Sequence, residues 1–158
     1  MLSITQYINI LKNPNPTKTI MQESSPILIE KYEAIYLPEF DDSHEGVMHS
    51  ITYENVSDSE IVAIKFGLLA FDAFNHLLDK FSGISLDQLE LNQKTTSEWT
   101  QNSHSAWMFK TLGVGVVYID AVRFKNNKFW YSDNDYILSE IQKIEKELNK
   151  DDLKDKKK

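Results

Sequence analysis

The stretch IVAIKFGLLAF at residues 61–71 decides the fold, because apolar side chains fill almost all of it. In an extended conformation it is apolar on both faces, which predicts a central strand with neighbours on each side. Gly67 in its middle indicates a bulge or a close neighbour. A single helix over residues 61–81 is the alternative, since apolar residues also recur there at helical spacing. We favour a strand followed by a short helix over residues 73–81.

The segments before this strand alternate apolar and polar side chains with a period of two. This pattern predicts strands over residues 26–37 and 47–55, separated by an acidic, turn-rich loop at residues 39–46. Residues 1–25 have no such period and predict an irregular lead-in. A short helix over residues 2–11 is expected to dock on the main body, with prolines ending it and a loop after it.

The segments after the central strand predict three further strands and a hairpin. Residues 95–101 are typical of an edge strand, and residues 106–112 alternate enough to predict another strand. Residues 113–124, GVGVVYIDAVRF, are apolar on both faces and predict a second central strand. The asparagine pair at residues 126–127 stands between this run and residues 128–132, which is the clearest hairpin signal in the chain.

The C-terminal part predicts a helix over residues 135–149 that begins at Asp133 or Asn134 as the cap. Four apolar residues form a stripe at steps of four, three and four: Ile137, Ile141, Ile144 and Leu148. One stripe on about four turns is typical of a helix that docks on a sheet, whereas a coiled coil needs more heptads. Residues 150–158 are rich in lysine and predict a disordered tail.

Composition and strand order together indicate the fold class. The chain has 158 residues, 41% of them hydrophobic, and no cysteine, which excludes disulfide frameworks, zinc fingers and cysteine nucleophiles. A chain of this length buries roughly 70% of the surface that its unfolded state exposes, so it needs no disulfide or metal to fold. We predict one mainly β domain over residues 26–149. Its expected architecture is an antiparallel β-sandwich with a short helix after the central strand and a C-terminal helix.

Charge argues against a nucleic-acid partner, and hydropathy argues against a membrane-spanning segment. The net charge is −7, and residues 1–138 carry ten basic and 18 acidic side chains. The chain has one arginine, Arg123, whereas nucleic-acid recognition needs a clustered basic face, so we expect no nucleic-acid binding. No segment is apolar enough to span a membrane, and residues 1–13 lack the features of a secretory signal. We therefore expect a cytoplasmic protein if the chain is the full gene product, and an exported one if a leader was removed.

Two segments carry a resemblance to a known family. Residues 51–74, ITYENVSDSEIVAIKFGLLAFDAF, combine a strand, an Asn-x-Ser-Asp turn and a long strand that ends in Phe-Asp. Residues 116–130, VVYIDAVRFKNNKFW, combine an Asp-x-Val-Arg-Phe strand, a polar pair and a strand with a tryptophan. Over about residues 47–130 the chain resembles small bacterial immunoglobulin-like or fibronectin-III-like β-sandwich domains of uncharacterised function. The resemblance implies a fold and no activity.

Three residues are candidates for a binding site: Trp99, Asp120 and Arg123. Trp99 stands alone among polar residues, so it either packs in the core beneath another element or contributes to a binding surface. Asp120 interrupts an apolar strand, where a carboxylate is costly unless it is paired. We expect it to accept backbone hydrogen bonds, or to meet Arg123 or a lysine at the sheet edge.

The densest group of possible metal ligands lies in the acidic loop. Asp41, Asp42, His44, Glu45 and His49 have the right side chains, but scattered spacing does not establish the three convergent ligands that a metal needs. We therefore expect a solvated acidic loop, no metal and no cofactor. His49 shares a strand face with apolar residues and is expected to be a hydrogen-bonded, partly buried histidine.

The leading functional hypothesis is a non-catalytic module that binds another protein, because no catalytic spacing is present and this fold class commonly serves in recognition. The alternative is a small acidic inhibitor or immunity-type protein that covers a basic enzyme surface, which the acidic body favours. A metal-dependent or hydrolytic enzyme is the second alternative. The sequence leaves the identity of the partner and the oligomeric state open.

Overall fold

The computed structural model describes residues 3–39, 44–102 and 108–154, which form two β-sheets and two α-helices. In chain order the elements are α1 (Ile4–Lys12), β1 (Thr17–Thr19), β2 (Ile27–Leu37), β3 (Gly46–Asn55), β4 (Ile61–Asp72), β5 (Leu77–Ser85), β6 (Lys94–Asn102), β7 (Leu112–Phe124), β8 (Phe129–Tyr131), α2 (Asn134–Ile141) and a 3₁₀ helix (Lys150–Leu153). The chain is mainly β, as predicted.

The strands divide into a smaller and a larger sheet. The smaller sheet has the order β2-β3-β6, and the larger has the order β1-β7-β4-β5 with β8 also paired to β7. Along one edge of β7, β1 pairs in parallel with residues 115–117 and β8 pairs antiparallel with residues 121–123. The larger sheet is therefore mixed, because β1 pairs in parallel whereas the other described strand pairs are antiparallel as predicted. The predicted loop at β1 is wrong. The sequence of β1, TKT, has no apolar residue to reveal a strand.

The two sheets pack face to face around the main core. β4 contributes Ile64, Phe66 and Leu68, each at most 1% exposed, and β3 contributes Ile51 and Tyr53 from the opposite sheet. The rings of Tyr53 and Phe66 meet edge-on, with centroids 5.1 Å apart. Burial of each such side chain stabilises the fold by roughly 1.5–3 kcal/mol.

The other face of β4 is covered by α2, as the stripe on the C-terminal segment predicted. Ile137 and Ile141 are fully buried there against Leu69 and Phe71. The buried members of this second cluster are Ile20, Leu69, Phe71, Val116, Tyr118, Ile137, Ile141 and Leu148. Both faces of β4 are thus buried over residues 66–71, which explains why this part of the strand is apolar throughout.

The C-terminal helix is shorter than predicted. Asp133 caps α2 by accepting hydrogen bonds from the first helical backbone amides, but the helix ends at Ile141, and residues 142–149 continue in turns. These turns still bring Leu148 onto the second cluster. They also bring the Glu145 carboxylate to the Leu77 backbone N–H, 2.8 Å away at the start of β5. The segment after α2 is thus held to the start of β5 by a hydrogen bond.

The predicted helix over residues 73–81 is wrong, because the chain forms a β-hairpin between β4 and β5. The Asp72 carboxylate accepts hydrogen bonds from the backbone N–H groups of Phe74 and His76, at 2.8 and 2.9 Å. Asn75 adopts a left-handed conformation with φ 65°. These two residues favour a turn over a helix, and this local chemistry outweighed the helical spacing of the apolar residues.

The predicted strand over residues 106–112 is also wrong in the part that the structure describes. Residues 108–111 form turns, and β7 begins after them, while residues 103–107 lie outside the described residues. Phe109 is nevertheless buried in the main core, and its backbone N–H donates to the Glu45 carboxylate at 2.8 Å. Burial of one aromatic side chain thus does not require a strand.

The hairpin at residues 126–127 is confirmed, with Asn127 at φ 66° and Phe124 N–H donating to the Lys128 carbonyl at 2.9 Å. The prediction of a disordered tail over residues 150–158 is wrong for its first part, which forms the 3₁₀ helix capped by Asn149. Residues 155–158 lie outside the described part of the chain. None of the helices in the described ranges is long and apolar enough to cross a membrane.

Candidate functional site

Asp120 lies at an irregularity of the larger sheet. The pairing of β7 with β4 skips this residue, so Asp120 is the extra residue of a β-bulge. Its carboxylate accepts a hydrogen bond from the Ser132 hydroxyl at 3.3 Å and lies 3.7 Å from the Lys65 ammonium nitrogen. The predicted lysine partner is confirmed, and the bulge turns the carboxylate towards the surface that α2 leaves open.

A cleft of about 230 Å³ lies beside Asp120. Lys65 and Lys80 reach it from β4 and β5, and Lys150 and Lys154 reach it from the C-terminal segment. The remaining lining residues are Tyr118, Asp120, Asn134 and Leu153. We call this site the lysine cleft. Its lining thus includes four lysines and one aspartate.

Two of these lysines also have acidic neighbours outside the lining. Lys150 lies 2.6 Å from Asp135, and Lys154 lies 2.8 Å from Asp151. The hydrogen bond to Asp135 raises the pKa of Lys150, and the hydrogen bond from Lys154 lowers the pKa of Asp151. Lys150 therefore stays an ammonium near neutral pH and is a poor general base there. Ammonium groups at such a surface are suited to binding anions.

An aromatic pair lies on β8, next to the lysine cleft. Phe129 and Tyr131 are 52% and 68% exposed, and their rings are parallel within 8° with centroids 5.9 Å apart. The Arg123 guanidinium lies 5.7 Å from the centroid of the Phe129 ring. Asn127 fixes that guanidinium by accepting a hydrogen bond from it at 2.9 Å. The structure thus places Arg123 beside exposed aromatic rings and not beside Asp120.

The register of the larger sheet joins the lysine cleft and the aromatic pair into one surface. Lys65, Ala121 and Tyr131 are directly opposite one another on β4, β7 and β8. Their chain neighbours Ile64 and Val122 point into the main core, so these three face outwards. We call the outer-face residues beyond the second cluster the open half: Ala63, Lys65, Ala121, Arg123, Phe129 and Tyr131.

Trp99 is partly buried and packs against the main core, which agrees with the first of the two alternatives predicted for it. Its ring lies 5.0 Å from the Phe66 ring, and its indole N–H donates to the Ile84 carbonyl at 3.4 Å. A Cβ atom on Gly83 would lie 2.8 Å from the indole. Trp99 therefore closes the gap between β6 and β5, and it lies apart from the lysine cleft and the open half.

A chain of buried polar side chains runs between the sheets. The Tyr32 hydroxyl lies 2.8 Å from His49 Nδ1, and His49 Nε2 lies 2.9 Å from Gln101 Oε1. Gln101 Nε2 donates to Asp79 at 2.9 Å. All four residues are at most 7% exposed. The chain links β2, β3 and β6 of the smaller sheet to β5 of the larger one.

Burial determines the protonation of this chain. Because Gln101 Nε2 donates to Asp79, its Oε1 accepts from His49 Nε2, and His49 Nδ1 is left to accept from the Tyr32 hydroxyl. Loss of water lowers the pKa of His49 to about 4 and raises the pKa of Tyr32 well above its usual range. Both rings are therefore neutral near neutral pH. This confirms the predicted hydrogen bonding of His49, whereas its burial is complete and not partial as predicted.

The alternative metal site is not assembled where the structure describes it. Both ring nitrogens of His49 have protein partners, whereas His44 is exposed. The buried Glu45 carboxylate accepts hydrogen bonds from Phe109 N–H and the Tyr36 hydroxyl, at 2.8 and 3.0 Å. Asp41 and Asp42 lie outside the described residues. Within the described ranges, no three histidine or carboxylate side chains converge as metal ligands.

A larger cleft of about 570 Å³ lies between the connection before β2 and the start of α2. It is lined by Met21, Gln22, Glu23, Ser24, Asp133 and Tyr136. Gln22 accepts a hydrogen bond from Asp133 N–H at 3.0 Å, and the Ser24 hydroxyl accepts one from the Trp130 indole at 3.3 Å. These hydrogen bonds hold the connection before β2 against β8 and α2. Gln22 and Ser24 in this cleft therefore have a structural role.

The sequence analysis missed the lysine cleft and the aromatic pair. The four lysines are scattered along the chain, and no local pattern brings them together. The aromatic pair had a signal, since residues 129–131 read FWY in a predicted strand, and alternation places the first and third on one face. Which face is exposed depends on Trp130, which packs against the main core.

No protein-family model and no curated protein matches this sequence. A crystal structure of a hypothetical protein from Peptoclostridium difficile 630 is similar to this chain in fold, with a TM-score of 0.54. The two sequences are 8% identical, and the similarity covers 78% of this chain and 93% of that one. At this identity the likeness concerns the fold alone.

Proposed function

We propose that this chain is a non-catalytic binding module that recognises an acidic segment of another protein through its lysine cleft. The observation that carries the proposal is the convergence of four lysines around one cleft in a chain whose net charge is −7. Three of these lysines have a carboxylate partner, which is Asp120, Asp135 or Asp151. The lysines still outnumber these carboxylates, and this local excess of positive charge favours the approach of an acidic partner.

We also propose an immunoglobulin-like or fibronectin-III-like classification for the fold. The supporting observation is the connectivity: the β2–β3 and β4–β5 hairpins belong to different sheets, and β6 and β7 then return beside β3 and β4. Such over-and-back connections between two packed sheets are typical of immunoglobulin-like sandwiches. A fold of this kind serves many functions, so the proposed activity depends on the cleft.

The proposal is tested by measuring the binding of two fluorescent 12-residue peptides, one rich in glutamate and one rich in lysine, by anisotropy. We expect the acidic peptide to bind and the basic one not to bind. Its affinity should fall as salt rises from about 50 to 300 mM, because the attraction is between solvent-exposed charges. Equal binding of the two peptides, or binding of neither, would contradict the proposal.

The double variant Lys65→Ser/Lys80→Ser tests whether the cleft is the binding site. We expect it to weaken acidic-peptide binding by about tenfold or more. The matched control is Lys12→Ser/Lys146→Ser, which removes two exposed lysines that do not line the cleft. The Lys65–Asp120 contact is partly exposed and 3.7 Å long, so its loss should barely change the melting temperature. Equal weakening by both variants would show only a general charge effect.

The inhibitor alternative and the cytoplasmic location stay predictions. An acidic inhibitor requires a basic partner, so tight binding of the lysine-rich peptide in the same assay would favour it.

A further inference from the structure

We infer that the acidic segment also presents an aromatic side chain, which packs on Ala121 between Lys65 and the aromatic pair of β8. This inference rests on the proposed function and specifies its ligand. The interaction surface is the open half, which continues from the lysine cleft through Lys65, a residue of both.

The register provides a shallow depression for such a side chain. Lys65, Ala121 and Tyr131 are opposite one another on three adjacent strands. Because neighbouring strands lie about 4.8 Å apart, the backbones at Lys65 and Tyr131 are separated by about 10 Å, with the small side chain of Ala121 between them. The carboxylate of the preceding residue, Asp120, lies 3.7 Å from the Lys65 ammonium nitrogen. A long cation thus borders one side of the depression, and an exposed ring borders the other.

The next outward-facing row of residues across the same three strands has a similar composition. Ala63, Arg123 and Phe129 are opposite one another, so the surface again combines a small residue, a cation and a ring. The Arg123 guanidinium lies over Phe129 and leaves Tyr131 as the more exposed ring of the pair, at 68%. Exposed rings beside cations suit a ligand that offers an aromatic group and carboxylates together.

Charge favours a partner segment over a second copy of this chain. A symmetric dimer through this surface would bring two lysine clefts and two Arg123 side chains close together, because such an interface uses the same patch on both subunits. An acidic segment instead brings charges of the opposite sign. The distance of about 10 Å corresponds to about three residues of extended chain, which sets the spacing between the aromatic residue and its acidic neighbours.

The test is a double-mutant cycle with two labelled 12-residue acidic peptides. One carries a tryptophan three positions from a Glu-Glu pair, and the other carries serine in its place. The protein variant is Phe129→Thr/Tyr131→Thr, in which threonine preserves strand propensity. The matched control is Phe74→Thr, which removes a ring that is 80% exposed in the β4–β5 turn, away from the open half.

For the wild type and for Phe74→Thr, we expect the tryptophan peptide to bind about tenfold more tightly than the serine peptide. For Phe129→Thr/Tyr131→Thr, the difference between the peptides should shrink to about twofold or less. If both peptides bind the wild type equally, the inference is overturned and the proposed function stands. If neither peptide binds, both are overturned.

Two further outcomes would also overturn the inference. The tryptophan could improve binding equally in the wild type and in Phe129→Thr/Tyr131→Thr, which would place the aromatic contact elsewhere. Alternatively, sedimentation velocity could show a dimer that Phe129→Thr/Tyr131→Thr dissociates and Phe74→Thr does not. That result would assign the open half to a second copy of the chain.

Discussion

The outer face of the larger sheet has two regions that share the same strands and differ in what covers them. In the covered region, Leu69, Phe71 and Val116 are completely buried under α2. In the open half, the same strands β4 and β7 carry Lys65 and Arg123, and β8 adds exposed rings. The change occurs within a few residues along each strand.

The difference shows that one face of a strand can be buried over part of its length and exposed over the rest. The C-terminal segment covers only part of the sheet, so apolar residues persist where it docks and cations appear beyond it. A partner can therefore reach one half of the face without disturbing the half that stabilises the fold. The following predictions test this separation, from the largest expected effect to the smallest.

Replacing Ile141 with aspartate should break the covered region. Ile141 is fully buried against the second cluster, and the change combines a lost apolar side chain with a buried charge. We expect the free energy of unfolding to fall by about 4 kcal/mol or more, measured by urea denaturation. The control Ser139→Asp puts the same charge on an exposed position of α2 and should have little effect. An unchanged denaturation curve for Ile141→Asp would mean that α2 does not hold the fold.

Acidification should weaken the core beneath both regions, through His49. Its pKa is about 4 in the folded protein and about 6.5 when unfolded, so the unfolded chain binds the extra proton between these values. Stability is therefore full above about pH 6.5 and falls as the pH decreases towards 4, by about 3 kcal/mol in total. Urea denaturation at several pH values measures this slope.

The variant His49→Gln removes the titrating ring and is the control for this prediction. It should be less stable at neutral pH, because the polar chain from Tyr32 to Asp79 is disturbed, and it should lose most of the slope between pH 6.5 and 4. The same slope in both proteins would show that other groups cause the acid sensitivity.

Replacing Gly67 with alanine should strain the boundary between the two regions. A Cβ atom there would lie 2.2 Å from Tyr118 Cζ, and the Tyr118 ring is only 2% exposed, so it has little room to move. We expect a loss of about 2 kcal/mol. In the background of Tyr118→Leu the same change should cost clearly less, and equal costs in both backgrounds would rule out the ring as the cause.

Removing the rings of the open half should barely change stability. Phe129 and Tyr131 are more than half exposed, so Phe129→Thr/Tyr131→Thr should alter the free energy of unfolding by about 1 kcal/mol or less. In the covered region, Leu69→Ala should cost about 2–5 kcal/mol. Similar losses for the two variants would remove the distinction between the regions.

The sequence alone determined the features that depend on local pattern. The two-sided apolar character of residues 61–71 and 113–124 predicted two central strands, and the stripe through Ile137 and Ile141 predicted a docking helix. The hairpin at residues 126–127 followed from turn chemistry. In each case the residues that make the contact, or their spacing, are visible within a short window of the chain.

The tertiary structure decided the rest, because the groups involved are distant in sequence. The lysine cleft combines side chains from β4, β5 and the C-terminal segment, and the three polar residues of β1 became a strand only because β7 offered an unpaired edge. The bulge that aims Asp120 arises from a mismatch in register between two strands, which neither strand encodes by itself. Long-range pairing sets these positions, so no local propensity reveals them.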